Sequence, residues 1–119
     1  MLFRSGALVM SNTQGVYVVF DRKADKVRGQ LRPMVGAKSE FEQPLSKAKE
    51  MQLVGTINYA SVYLDFETGG SEDSVLCGQF VRNPEQKQQL RVLLKAIQTL
   101  VPNVKFIPRN DLEKWWLRD

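Results

Sequence analysis

TINYASVYLDFETGGSEDSVLCGQFVR, residues 56 to 82, decides the fold class. From Thr56 to Thr68 the chain alternates, with Ala60, Val62, Leu64 and Phe66 on one side and Tyr59, Ser61, Tyr63, Asp65 and Glu67 on the other. A period of two belongs to a strand whose one face is buried. Gly69-Gly70 followed by acids is a turn, and residues 74 to 82 return as the antiparallel partner. The polar members, Asp65 and Glu67 among them, are expected on the solvated face near the strand end.

Working outward from this hairpin, GVYVVF (15 to 20) is β-branched and aromatic and reads as a strand leaving into the charged turn DRKADK. The run from Lys26 alternates again, with Val27, Gly29 and Leu31 inward and Lys26, Arg28, Gln30 and Arg32 outward, until Pro33 ends it. Residues 36 to 43 read as a loop. Pro44 fits the first turn of a helix running through LSKAKEMQL to Leu53, with Gly55 at its exit. Downstream, Asn83-Pro84-Glu85 is a helix start, and Leu90, Leu93, Leu94, Ile97, Leu100 and Val101 recur at helical spacing until Pro102. NVKFIPR predicts a fifth strand, and DLEKWWLRD a final helical turn or two capped by Asn110.

The expected order is β-β-α-β-β-α-β-α, an α+β domain with an antiparallel sheet of about five strands and helices packed on one face. Residues 1–14 are expected to form a flexible N-terminal extension and residues 15–119 the single domain. The apolar run in MLFRSGALVM is too short to cross a membrane.

Composition narrows the chemistry. With 119 residues, 43% hydrophobic and 25% charged, the chain has the size and balance of one globular domain. Cys77 is the only cysteine, so no internal disulfide can form, and a cytoplasmic location is expected. There is no histidine, which removes the commonest general base and the metal ligand most used for zinc, copper and iron. The expectation is therefore a protein that is not an enzyme and carries neither cofactor nor metal.

YLDFETGG, residues 63 to 70, resembles the first motif of the DnaQ-like 3′–5′ exonucleases, in which a strand presents an Asp and a Glu to divalent ions. Residues two apart share a face, so the resemblance implies Asp65 and Glu67 as metal ligands of a metal-dependent nuclease. It spans about eight residues, and the chain departs from the family pattern in having no histidine for the later motif. A solvated strand end remains the reading taken from the residues themselves.

Charge is arranged in blocks. Residues 1–50 hold 9 basic and 5 acidic groups, residues 51–83 hold 1 and 4, and residues 84–119 hold 7 and 4, for a net +4. Lys26, Arg28 and Arg32 on the strand, with Lys87, Arg91 and Lys95 at successive turns of the helix, make a candidate nucleic-acid surface if they share one side. The adjacent Trp115 and Trp116 point about 100° apart on a helix, which puts one ring in the core and leaves the other partly exposed. Together with Tyr59 and Tyr63 they form the candidate contact set for another protein chain, a second copy foremost. The preferred expectation is a small, non-enzymatic interaction module acting as a homodimer, with nucleic-acid binding as the alternative.

Overall fold

The alternation in the central hairpin is realised as β7 (Tyr59–Thr68) paired antiparallel with β8 (Ser71–Val81). Ala60, Val62, Leu64 and Phe66 are fully buried. The computed structural model describes residues 2–4, 8–13, 15–31, 39–68, 71–109 and 114–118. Arg32, Gly69-Gly70 and Asn110, named above, lie outside the described residues.

The strands form two sheets rather than one. The first is a meander of β1 (Leu2–Arg4), β2 (Leu8–Thr13), β3 (Val16–Asp21), β4 (Lys26–Leu31) and β5 (Ser39–Pro44), each antiparallel to the next. The stretch expected to be a flexible extension thus supplies β1 and β2, with Thr13 opposite Val16. The second sheet has the order β8-β7-β6-β9, where β6 is Ala48–Gly55 and β9 is Lys105–Pro108. β9 runs parallel to β6, which corrects the all-antiparallel expectation.

Two local readings are corrected as well. The helix expected from Pro44 to Leu53 is a single 3-10 turn, Leu45–Lys47, followed by β6. Lys, Ala, Glu, Met, Gln and Leu all favour helix, but pairing with β7 and β9 on both sides outweighs a propensity of tenths of a kcal/mol per residue. Within β6 only Met51, Leu53 and Gly55 are buried, at period two. The expected loop at 36–43 is, from Ser39 onward, the edge strand β5. Its one aromatic, Phe41, lies over Gly29 of β4, where any Cβ would collide with the ring. Glycine is what lets these two strands carry a phenylalanine between them.

One α-helix is present among the described residues, α1 (Pro84–Leu100). Asn83 caps it as expected, its side chain accepting from the Gln86 N–H at 2.8 Å. Leu90, Leu93, Leu94, Ala96, Ile97 and Leu100 form the buried stripe. The chain leaves the β8 edge, crosses the inner face as α1 and re-enters at the opposite edge as β9. At Gly78 the helix comes so close that an added Cβ would stand 2.9 Å from Leu93 Cδ2 and 2.9 Å from the Phe80 ring. The final helix reduces to a 3-10 turn, Lys114–Trp116.

β8 is where β2, β3 and α1 converge, so the core runs between the two sheets. Val16, Val18, Phe20 and Val27 come from the first sheet and Met51, Leu53, Ala60, Val62, Leu64 and Phe66 from the second. Register shifts between Val62 and Tyr63 opposite Cys77, so both Cys77 and Gly78 are buried. The bulge turns the thiol fully inward. Burial pushes the Cys77 thiol up to about 12, against the opposing effect of the Leu64 backbone hydrogen bond.

Candidate interaction site

The tight turn between β6 and β7 begins the site. Thr56 N–H donates to the Tyr59 carbonyl at 2.8 Å, and its Oγ1 accepts from the N–H groups of Asn58 and Tyr59, both at 3.2 Å. A hydroxyl that satisfies the turn's own donors leaves no use for the side chain at its tip. Ile57 therefore projects outward, 64% exposed.

Beside it, Tyr59 stands directly across from Val81 at the end of β8, and they are 48% and 39% exposed. Between them lies a surface depression of about 240 Å³ lined by Tyr59, Gln79, Phe80 and Val81. Arg82 closes the corner. Its backbone N–H donates to the Asn58 carbonyl at 3.0 Å and its Nη1 to the Ile57 carbonyl at 3.2 Å. Its guanidinium carbon sits 4.4 Å from the centre of the Trp115 ring, and Lys87 Nζ sits 4.6 Å from the same centre. Cations over indole are attracted by its negative face.

The two tryptophans have divided roles, as their angular separation predicts. Trp116 is fully buried, and its indole N–H donates to the Thr56 carbonyl at 2.7 Å. Trp115 is half-buried and meets it edge-on, with centroids 5.0 Å apart and planes at 82°. Trp116 thus anchors the C-terminal turn from inside, and Trp115 faces the surface. Tyr63 is not part of this corner. It shares the strand face with Tyr59 but lies four residues along, roughly 13 Å away.

Asp65 and Glu67 share a face but differ in burial. Glu67 is exposed, whereas Asp65 is 6% exposed, which corrects the solvated position expected for it. Gln52 donates its amide to Asp65 Oδ2, and Arg109 Nη1 donates to Gln52 Oε1 at 3.0 Å. The amide relays the Arg109 charge to the carboxylate across β9, β6 and β7. Asp65 Oδ1 is buried with no hydrogen-bond partner among the described residues. No group of three or more Cys, Asp or Glu able to hold a metal occurs among the described residues.

The basic candidates separate into different surroundings. Lys26 pairs with Glu42 at 3.1 Å, and Arg28 stands in register with the same Glu42 on the outer face of the first sheet. Arg28, Tyr17, Glu40 and Glu42 line a shallow groove of about 550 Å³ there, so acids interrupt this basic face. The C-terminal end of α1 adjoins the β3–β4 turn, where Leu100 and Val101 share a depression with Arg22 and Asp25. Lys87 is at the other end of the helix, thirteen residues or roughly 20 Å away. Arg91 is half-buried and Lys95 exposed between them.

Sequence reading found Tyr59 and Trp115 but missed Ile57, Val81 and Arg82. The available signal was an aliphatic residue inside the polar turn Thr56-Ile57-Asn58, where nothing in a turn requires one. No protein-family model, curated protein or solved structure matches this chain. No helix among the described residues is long and apolar enough to cross a membrane.

Proposed function

We propose that this protein is a small binding module, acting without catalysis, that engages another protein through the corner formed by Ile57, Tyr59, Val81, Arg82 and Trp115. One observation carries the reading. Of the five large hydrophobic residues exposed among those described, Ile57, Tyr59 and Val81 gather at this single corner, next to a surface tryptophan and a fixed arginine. Tyr, Trp and Arg are the residues enriched at binding hot spots, and rigid aromatic anchors lose little entropy on contact.

Nucleic-acid binding is the rival, supported by the net charge of +4. Two features weigh for protein instead. Glu40 and Glu42 interleave the basic face of the first sheet, and the Trp115 ring already carries two cations rather than standing open for a base.

The test is affinity purification from the native source with wild type and with Ile57→Asp/Tyr59→Ala, both checked for unchanged melting. The reading expects protein partners retained by the wild type and lost from the variant. The same proteins retained by both would overturn it.

A further inference from the structure

The charge at the corner points to what its partner presents. Among the described residues neither Arg82 nor Lys87 is paired with a carboxylate, unlike Lys26 with Glu42. Lys87 occupies the first turns of α1, where a cation opposes the helix dipole, and it is held there over Trp115. Glu85 belongs to the same turn but is exposed and forms no ion pair with either cation. Two cations, roughly 9 Å apart at most through the shared ring, thus stand at the N-terminal end of α1, directly after Val81 of the depression, with no acid paired to either among the described residues.

The backbone is closed to strand addition at this point. The Val81 N–H, which would face an added strand, donates instead to Gln86 Oε1 at 2.8 Å. Recognition must come through side chains: one apolar group in the depression of about 240 Å³ and one anion at Arg82 and Lys87. A symmetric dimer through this corner would set these cations against their own copies, which like-charge repulsion disfavours. Of the corner's two aromatics only Tyr59 stands open to a base, since the Trp115 ring already carries both cations.

We propose that the corner binds an acidic, apolar-anchored segment of a different protein. This rests on the binding-module reading above and deepens it.

The experiment displays a library of random twelve-residue peptides to the full chain, then measures enriched peptides by fluorescence polarisation at low and physiological salt. Baits are wild type, Lys87→Glu and Ile57→Asp. Lys87→Glu places an acid where the helix dipole favours one, so it tests charge without weakening the helix. The expected result is enrichment of peptides pairing an acid with a large apolar residue, weakened about tenfold or more by Lys87→Glu and by Ile57→Asp, and weakened by salt. Peptides that lack acidic bias yet are lost with Ile57→Asp would overturn this inference and leave the binding-module reading standing. Peptides indifferent to both substitutions, or no enrichment at all, would overturn both. Single-stranded RNA bound by the wild type and released by Lys87→Glu, or a dimer in light scattering that Ile57→Asp dissociates, would also overturn it.

Discussion

The neighbouring tryptophans provide the sharpest test of how the corner is held. Replacing Trp116 by Phe removes the indole N–H that donates to the Thr56 carbonyl and the outer part of a fully buried ring. The hydrogen bond is worth about 1 kcal/mol net, and since Thr56 is only half-buried, water can reach the abandoned carbonyl. The lost ring carbons add about 1–1.5 kcal/mol of burial. The total is a loss of about 2–2.5 kcal/mol. The same substitution at half-buried Trp115 keeps an aromatic face for Arg82 and Lys87 and costs less than about 1 kcal/mol.

Urea denaturation of the two single variants measures the difference directly, with thermal melting as a check. The Trp116 variant should fall by at least about 1 kcal/mol more than the Trp115 variant. Equal losses would refute the division of roles. So would a Trp116→Phe protein within about 0.5 kcal/mol of wild type, the range of a surface change. Binding should respond in the opposite order, with Trp115→Ala weakening a partner while leaving the fold intact.

Other consequences are separable. Gln52→Ala should cost about 1.5–3 kcal/mol by leaving Asp65 without its donor, and a double-mutant cycle with Asp65→Ala should show coupling well above about 0.5 kcal/mol; additivity would refute the relay. Gly78→Ala should destabilise by about 1–3 kcal/mol in urea, because Leu93 and the Phe80 ring must both retreat, and a neutral result would show that α1 sits less closely on β8. Cys77 is held protonated in the fold, so its contribution to stability is complete below the ordinary thiol value of 9.0 and lost as pH rises towards about 12. Stability measured across that alkaline range should fall less steeply for Cys77→Ala than for wild type.

The hairpin of β7 and β8, the capped helix α1 and the strands β3 and β4 were legible because each rests on local periodicity or a local cap. β6 was not. Its sequence from Ala48 to Met51 offers helix formers, and its strand state comes from β7 on one side and β9, more than fifty residues later, on the other. Period-two burial there involves only Met51, Leu53 and Gly55, too few positions to outvote propensity from sequence alone. β5 failed differently: its one aromatic, Phe41, packs over Gly29, and the glutamates flanking Phe41 give it the look of a loop.

The corner shows why site residues are harder to read than elements. Its parts come from a turn at 56–59, a strand end and helix start at 81–87, and a 3-10 turn at 114–116, so no window of sequence contains it. Tyrosine and tryptophan announce themselves by residue type, which is why Tyr59 and Trp115 were found. Arg82 does not, because an arginine at a strand end is ordinarily solvated and only the Ile57 carbonyl and the Trp115 ring give it a fixed place. Tyr63 and Asp65 invert the case: their types suggested contact or catalysis, but Tyr63 lies roughly 13 Å from the corner and the Gln52 amide holds the Asp65 carboxylate within the sheet. Fixing one arginine against a backbone carbonyl and an indole serves no need of the core, whose own apolar residues are already buried. The cost of ordering that long side chain is offset in part by the Ile57 carbonyl hydrogen bond and an exposed cation–π contact, and the acidic partner proposed above would add a third contribution.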